Sequence, residues 1–247
     1  MAAVLRTAGH GRDGVVLTYS LSDLLITLAV LGPFAAFFVA LVVLRGRQVR
    51  RRHARFTEFA SKHGLDYMPE DPFGLVDERF RIFRRGEERR CTNVLSGEWK
   101  GLRIRYADYE YWLRGKRAQT SYRSIVLFEL PIDAPRTSIR RENVLTRTAD
   151  AAGVEDIDFE SEEFNRTFRV SGDDPEFARA LVDARMMAWL LDEAKHSGFE
   201  LRGSVAILYY VLFTDPNDLD WFLDRAIGFR DHIPRVVWNE RASRSTP

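Results

Sequence analysis

The sequence feature that most constrains the fold is an apolar stretch over residues 24–44 that contains no charged side chain. As a helix, its 21 residues would span roughly 31 Å, which matches the hydrocarbon core of a bilayer. A signal peptide has a shorter apolar region and ends at small residues, whereas this stretch ends at Arg45. Pro33 is compatible with a membrane helix. We therefore predict one transmembrane helix over 24–44.

The basic residues around this stretch are distributed unevenly. The 20 residues that follow it hold seven Lys or Arg side chains, against only Arg6 and Arg12 before it. Because basic residues near a span stay on the cytoplasmic side, residues 1–23 are predicted to be extracytoplasmic and the rest cytoplasmic, at the inner (plasma) membrane. The single cysteine, Cys91, excludes an internal disulfide and suits a reducing compartment.

Past the span, residues 45–64 are predicted to form a basic juxtamembrane helix that stops at Gly64. Strand patterns follow. Residues 94–95 and 102–111 flank a connection over 96–101 and are typical of a hairpin. The nearly continuous apolar runs 125–130 and 205–213 predict central strands that are covered on both faces.

Two Asp-Pro pairs mark predicted helix starts. Asp174-Pro175 and Asp215-Pro216 each place a capping carboxylate before a proline at the first helical position. The resulting order of helices and strands favours an α+β fold, with one antiparallel sheet covered by helices over residues 65–235. Residues 236–247 are predicted to be a tail.

The sequence lacks the motifs of several common enzyme classes. It contains no phosphate-binding Gly-x-x-x-x-Gly-Lys-Ser/Thr, no His-Glu-x-x-His and no Gly-x-Ser-x-Gly. Cys91 could be a thiolate nucleophile, since Arg89 and Arg90 beside it would lower its pKa. We favour the alternative, in which Cys91 is a small buried hydrophobic residue. An enzymatic activity is therefore not expected, although the sequence does not decide it.

An acidic run supplies the candidate metal site. In an extended strand, alternating carboxylates line one face and could hold Mg²⁺ or Ca²⁺. Four carboxylates have this spacing: Asp156, Asp158, Glu160 and Glu162. The alternative is a solvated face with Ile157 and Phe159 turned inward. We predict no resident metal and no other cofactor.

Charge separates along the chain. Residues 45–117 carry a net charge of +8, and residues 150–231 carry −11. Basic side chains close to a cytoplasmic leaflet are attracted to anionic lipid head groups. The candidate residues for contact with lipid or a partner are Arg50, Arg51, Arg52, Arg84, Arg85, Arg89 and Arg90. Equally, these arginines could pair with the acidic half of the same domain. Nucleic acid is disfavoured, because no binding motif accompanies them.

Three segments carry a resemblance to a known group of proteins. They are 93–111 (NVLSGEWKGLRIRYADYEY), 158–170 (DFESEEFNRTFRV) and 174–191 (DPEFARALVDARMMAWLL). The chain from about residue 50 to 235 resembles uncharacterised, actinobacterial-type single-pass membrane-anchored proteins. The resemblance implies membrane anchorage, and it implies no reaction, cofactor or catalytic residue.

Two functions remain open. The first is a non-enzymatic interaction or scaffold module at the membrane, serving envelope-related assembly or sensing with a protein partner, a second copy or anionic lipid. The alternative is a membrane-tethered, metal-dependent enzyme that acts on a lipid or nucleotide through the acidic run. A pore is disfavoured, because one span cannot enclose a path without oligomerising.

Overall fold

The structure is a computed structural model that describes residues 21–77, 79–115, 118–141 and 156–242. The chain divides into two compact units, one ending at Arg50 and the other beginning at Arg51. The predicted extracytoplasmic segment 1–23 lies outside the described residues except for its last three, and so does the end of the predicted tail, 243–247.

Helix α1 runs without interruption over Leu21–His63, with Pro33 inside it. By length and composition it is the one helix among the described residues that could cross a membrane, and its apolar 18-residue window is not buried. This supports membrane anchoring. The predicted span 24–44 and juxtamembrane helix 45–64 are therefore parts of one helix. The helix ends before Gly64, as predicted. Gly64 has a φ of +67°, a left-handed backbone conformation that glycine adopts without steric strain.

One seven-stranded antiparallel sheet organises the second unit. Its strands are β1 (Asp66–Glu70), β2 (Glu87–Trp99), β3 (Leu102–Leu113), β4 (Gln119–Arg141), β5 (Asp156–Ile157), β6 (Phe168–Gly172) and β7 (Ser197–Val211). The order across the sheet is β1-β2-β3-β4-β6-β5, and β7 pairs with β4. Together with the helices described below, this confirms the predicted α+β class.

The predicted hairpin is formed by β2 and β3. Its turn is tighter than expected, because pairing continues to Trp99 opposite Leu102 and only Lys100 and Gly101 remain unpaired. Both turn residues have positive φ, 47° and 77°. Two residues with positive φ are typical of hairpin turns whose twist matches the flanking strands.

Strand β4 is the centre of the sheet. Its first half pairs with β3 on one edge and β7 on the other, and its second half pairs with β6 and again β7. Thus Ile125 lies opposite Tyr209, and Ile139 lies opposite Phe199. Within the described strands β7 pairs only with β4. The prediction that 205–213 forms a central strand is therefore wrong, although Ile207 and Leu208 are buried on opposite faces as expected.

The ribbon made by β4 and β7 is irregular at its middle. The pairing register shifts between Glu129 and Ala134 and again between Ala134 and Thr137. Opposite this region Gly203 has a φ of +62°. Extra residues and left-handed glycines bend a pair of strands sharply. The two halves of the ribbon therefore point in different directions, which is the property that builds the site described below.

Helices cover one face of the sheet. They are α2 (Glu162–Thr167), α3 (Pro175–Leu181), α4 (Ala184–Asp192), α5 (Leu219–His232) and α6 (Arg235–Ala242). Asp174 caps α3 as predicted, by accepting a hydrogen bond from the Phe177 backbone N–H at 3.0 Å. The apolar spacing from Phe177 to Leu191 predicts one continuous helix after Asp174-Pro175. The structure instead has two helices, because Asp183 caps α4 through the Met186 backbone N–H at 2.8 Å. Asp215-Pro216 starts a short 3-10 helix that leads into α5.

Apolar side chains pack on both faces of the sheet. The larger core joins the helices to one face and includes Phe56 of α1, Phe199 of β7 and Phe229 of α5. The smaller core packs the segment before β2, including Phe83, against the other face. Val237 of α6 is buried in the larger core. The tail predicted from residue 236 therefore begins later, since this part of α6 belongs to the domain.

Candidate functional site

A cleft of about 440 Å³ lies where both ends of β4 meet both ends of β7. Five arginines line it and define what is called here the arginine cleft: Arg81, Arg85, Arg123, Arg140 and Arg141. Arg81 belongs to the 3-10 helix Arg81–Arg84, and Arg85 follows it. The other three come from the two ends of β4. The cleft is therefore a product of the fold, since three separate parts of the chain supply its charge.

The bend of β7 closes the cleft. Gly198 and Tyr209 lie in the same strand and would be roughly 36 Å apart if it were straight, at about 3.3 Å per residue. Yet a Cβ atom added to Gly198 would lie 2.3 Å from Cζ of Tyr209. The Tyr209 ring thus packs directly on the Gly198 backbone. Only glycine leaves room for it, so this residue allows the two halves of the ribbon to approach.

Among the described residues that line the cleft, Glu200 is the one carboxylate, and it is 5% exposed. It accepts a hydrogen bond from the Arg81 backbone N–H at 2.5 Å. Burial raises the pKa of the Glu200 carboxyl, and backbone hydrogen bonds from Arg81 and Ile82 and the charge of Arg140 oppose that rise. Glu200 therefore fixes the 3-10 helix in place.

Aromatic rings and a histidine hold the cleft arginines in place. The Arg123 guanidinium lies over the Tyr111 ring, 5.8 Å from its centroid, and donates a hydrogen bond to the Tyr122 carbonyl at 2.7 Å. Nη1 of Arg141 lies 3.1 Å from Nδ1 of His196. Burial also raises the pKa of Tyr209, so its hydroxyl stays neutral near pH 7. These contacts hold two of the cleft arginines, Arg123 and Arg141, in place.

Exposed apolar side chains border the cleft and define the apolar lip: Tyr122, Val211 and Leu212, which are 41%, 53% and 64% exposed. Val211 and Leu212 also line the cleft itself. Leu212 has a φ of 84°, which is unusual for a leucine. Backbone hydrogen bonds hold it there, since its N–H donates to the Tyr122 carbonyl at 3.1 Å and its carbonyl accepts from Ser124 N–H at 3.0 Å. An apolar side chain is thus held outward beside a basic cleft.

A second polar cluster lies inside the domain and is centred on Asp108, which is fully buried. Nε and Nη2 of Arg52 each donate to this carboxylate at 2.9 Å. Nδ2 of Asn93 and the hydroxyl of Tyr106 also donate to it, each at 2.8 Å. Nη2 of Arg52 further donates to the Thr214 carbonyl at 3.0 Å. This cluster ties the end of α1 to the sheet and to the segment after β7.

The predicted basic contact residues have different surroundings in the structure. Arg52 binds Asp108, Arg89 donates a hydrogen bond to the Phe83 carbonyl, and Arg90 pairs with Glu110. Arg50 belongs to the first unit, whereas Arg51 and Arg84 are exposed in the second. Of the seven, only Arg85 lines the arginine cleft.

Sequence reasoning missed three arginines of the cleft, Arg123, Arg140 and Arg141. The doublet Arg140-Arg141 and the lone Arg123 lie at opposite ends of β4. The doublet is visible in the sequence, but it lies ten residues beyond the predicted strand 125–130. Nothing in the neighbouring sequence, however, shows that β4 bends so that Arg140 and Arg141 line the same cleft as Arg123.

The predicted acidic strand is corrected by the structure. Strand β5 contains only Asp156 and Ile157, and Ser161 already caps helix α2. Asp156 pairs with Arg169, and Glu162 pairs with Arg166 at 2.8 Å. Asp158 and Glu160 lie between these two elements, outside any strand. Within the described ranges, no group of three or more His, Cys, Asp or Glu side chains is placed to hold a metal ion.

Cys91 is buried in the smaller core, as the favoured interpretation predicts. Burial and the nearby carboxylates of Asp71 and Asp108 raise the pKa of its thiol. A nucleophilic cysteine needs the opposite shift. The basic neighbours that suggested a thiolate do not offset this burial.

These features define the class of protein: an α+β domain that carries a basic cleft, in a chain whose described residues include one candidate membrane helix. No protein-family model matches the chain, and no curated protein matches it. Its fold is similar to the crystal structure of the mycobacterial trehalose monomycolate transport factor A, TtfA. The TM-score is 0.54 at 15% sequence identity, over 75% of this chain and 97% of that chain. The likeness shows a shared fold.

Proposed function

We propose that this chain is a single-pass membrane protein whose second unit acts as a non-enzymatic accessory module in envelope-related transport or assembly. The observation that carries the proposal is the presence, in one chain, of an exposed candidate membrane helix and a domain that shares the fold of TtfA. That neighbour is named as a transport factor. The arginine cleft supplies a surface through which such a module can bind a partner.

The proposed orientation places residues 1–23 outside the inner (plasma) membrane and the second unit in the cytoplasm. It is supported by the basic residues that follow residue 44. In a Cys91→Ser background, we expect an impermeant maleimide to label Thr7→Cys in intact cells. Arg202→Cys, on an exposed position of β7, should be labelled only after the membrane is opened. The reverse pattern would overturn the orientation.

The accessory role is tested by crosslinking the full-length protein in its native membrane. We expect one integral membrane protein to be captured reproducibly, and capture of this chain by the tagged neighbour should confirm the pair. Arg85→Glu with Arg141→Glu should lower the yield several-fold, because both side chains line the cleft. Arg166→Glu with Arg103→Glu is a matched control, since both arginines are exposed and lie outside the cleft.

Two results would overturn the accessory role. The first is turnover of lipids or nucleotides by the purified full chain that persists after a second, independent purification. The second is an unchanged crosslinking pattern when the second unit is replaced by an unrelated domain on the same helix. The first result would show that the chain is an enzyme, and the second would show that capture of the neighbour does not depend on the proposed module.

A further inference from the structure

A second pocket, of about 460 Å³, lies where β7 leads into helix α5. Three aromatic rings and two carboxylates line it, and none of its described lining residues is basic. These residues define the aspartate pocket: Tyr210, Phe213, Thr214, Asp215, Asp218 and Trp221. The faces of aromatic rings and the oxygens of carboxylates both attract positive charge. The lining therefore favours a cation.

The aromatic rings of the pocket already hold guanidinium groups of this chain. The Arg52 guanidinium lies 5.2 Å from the centroid of the Phe213 ring, and that of Arg225 lies 4.7 Å from the centroid of the Trp221 ring. Each of these guanidinium groups is paired with a carboxylate outside the pocket, Asp108 and Glu193 respectively. Trp221 is still 43% exposed, so a ligand can reach part of its ring. The pocket thus presents aromatic surface of the kind that binds guanidinium groups.

Asp218 supplies a carboxylate that the fold does not engage. It precedes the first residue of α5, where an aspartate usually caps the helix, but its side chain makes no capping hydrogen bond. No described residue forms an ion pair with it. Asp215 differs, because it caps through the Asn217 backbone N–H at 2.9 Å and lies 3.7 Å from Arg55. Asp218 is therefore the carboxylate available to a ligand.

The hydroxyl of Thr214 is a second group without a partner. Thr214 is 6% exposed, and its Oγ1 accepts or donates no hydrogen bond among the described residues. Its backbone is engaged, since the N–H donates to Ser124 Oγ at 2.7 Å and the carbonyl accepts from Arg52 at 3.0 Å. A buried hydroxyl without a partner costs free energy, which a ligand that supplies the missing hydrogen bond recovers. This residue therefore points to a ligand with N–H groups.

These acceptors discriminate among cations. A quaternary ammonium has no N–H group, so it would leave Asp218 and Thr214 without a donor. A guanidinium presents five N–H donors in a plane, and that plane also stacks on aromatic rings. A metal ion is disfavoured, because the described residues place no group of three or more His, Cys, Asp or Glu side chains to hold one. Arginine is enriched at protein interfaces, and it is the side chain that carries a guanidinium.

From this arrangement we infer that the aspartate pocket docks an arginine side chain of a protein partner. The guanidinium donates to the Asp218 carboxylate and lies against the exposed part of the Trp221 ring. The site is separate from the arginine cleft, although Tyr210 lines both. The inference rests on the proposed function only in taking the partner to be a protein.

The first test uses the full-length protein in nanodiscs, labelled with 5-fluorotryptophan and followed by fluorine NMR. Comparison with Trp221→Phe assigns the signal of Trp221. We expect N-acetylarginine methylamide to shift this signal saturably, and we expect the citrulline analogue, which has nearly the same shape and no charge, to leave it unchanged. Asp218→Asn should weaken binding by at least about threefold.

Asp220→Asn is the matched control for this test. It removes the same charge near the start of the same helix, but Asp220 does not line the pocket and its side chain is 51% exposed. The affinity should stay unchanged. Equal weakening by Asp218→Asn and Asp220→Asn would show a general field of the helix end and overturn the site. Binding of the citrulline analogue or of tetramethylammonium as tight as that of the arginine amide would overturn the guanidinium assignment.

Thr214→Val tests the unpartnered hydroxyl. Valine has the same shape without the hydroxyl, so the variant should keep the full free energy of unfolding of the free protein. It should nevertheless weaken binding of the arginine amide several-fold. A less stable variant with unchanged affinity would show that the hydroxyl has a structural role and would contradict its place in the site.

The protein partner is tested in the native membrane. The photoreactive residue p-benzoylphenylalanine in place of Asn217, which is exposed between the two carboxylates, should crosslink to a partner peptide that contains an arginine. Changing that arginine to Asp should abolish the crosslink, and Asp218→Arg in this chain should restore it. No restoration in the paired variants would overturn the docking.

The outcomes separate the two proposals. A captured membrane neighbour without binding of the arginine amide would reject the aspartate pocket and retain the accessory role. Saturable binding of the amide without any captured protein would retain a guanidinium site and reject the protein partner, and with it the accessory role.

Discussion

Arg52→Met is expected to lower the free energy of unfolding of the second unit by about 3 to 5 kcal/mol near neutral pH. The variant leaves the Asp108 carboxylate fully buried without the guanidinium that donates two hydrogen bonds to it. Methionine keeps much of the side-chain volume, so the loss reports the charge pair rather than a cavity. Denaturant unfolding of the purified full chain, followed by tryptophan fluorescence, measures this change.

The loss should depend on pH in a defined direction. In the native protein burial raises the pKa of Asp108, and the charge of Arg52 is the largest opposing effect. Without Arg52 the folded-state pKa rises further above the unfolded value. A group with a raised folded-state pKa contributes stability at low pH that is lost as the pH rises through that pKa. The loss of unfolding free energy caused by Arg52→Met should therefore be larger at about pH 8 than at about pH 5.

Arg55→Met is the matched control for this prediction. Arg55 lies on the same helix and is 3.7 Å from Asp215, but both side chains are about half exposed. Exposed ion pairs contribute about 0 to 1 kcal/mol. Equal losses for the two variants, or a deficit that does not change with pH, would contradict the role assigned to Asp108.

Gly198→Ala is expected to destabilise the second unit by about 1 to 3 kcal/mol, because the new Cβ would overlap the Tyr209 ring. Tyr209→Ala in the same chain removes the ring and with it the overlap. The double variant should therefore be more stable than the sum of the two single losses predicts. The same unfolding measurement on all four proteins gives this coupling, and additive losses would show that Tyr209 does not pack on Gly198.

The parts of the fold that were predictable depend on local signals. The apolar run before Arg45 predicts a helix that can cross a membrane, and the Asp174-Pro175 pair predicts a helix start. Each signal lies in one continuous segment of the sequence: the apolar run acts through the length of the helix, and the Asp-Pro pair acts through capping. The break at Asp183 was missed because an aspartate inside an apolar pattern suggests a surface position as well as a new cap.

The candidate site could not be predicted in the same way. In a straight strand Arg123 and Arg140 would lie roughly 56 Å apart, at about 3.3 Å per residue. Only the register shifts in the middle of β4 bring them to one cleft, and these shifts depend on pairing with a strand much later in the chain. The acidic run was mispredicted as a strand for a related reason. Alternating acidic and apolar residues form a strand only where a neighbouring strand pairs with them, and the pairing of β5 ends after Ile157.

The position of β7 in the chain also sets the order in which the domain can fold. Ser124 and Ile139 pair with Tyr210 and Phe199, so both halves of β4 stay open on one edge until residue 210 has been synthesised. Pairing between residues so far apart in sequence is slow to form. Helix α1, in contrast, is complete long before. Each newly made chain must therefore pass through an interval in which the membrane helix exists and the central strand offers an unpaired edge, the form most open to aggregation.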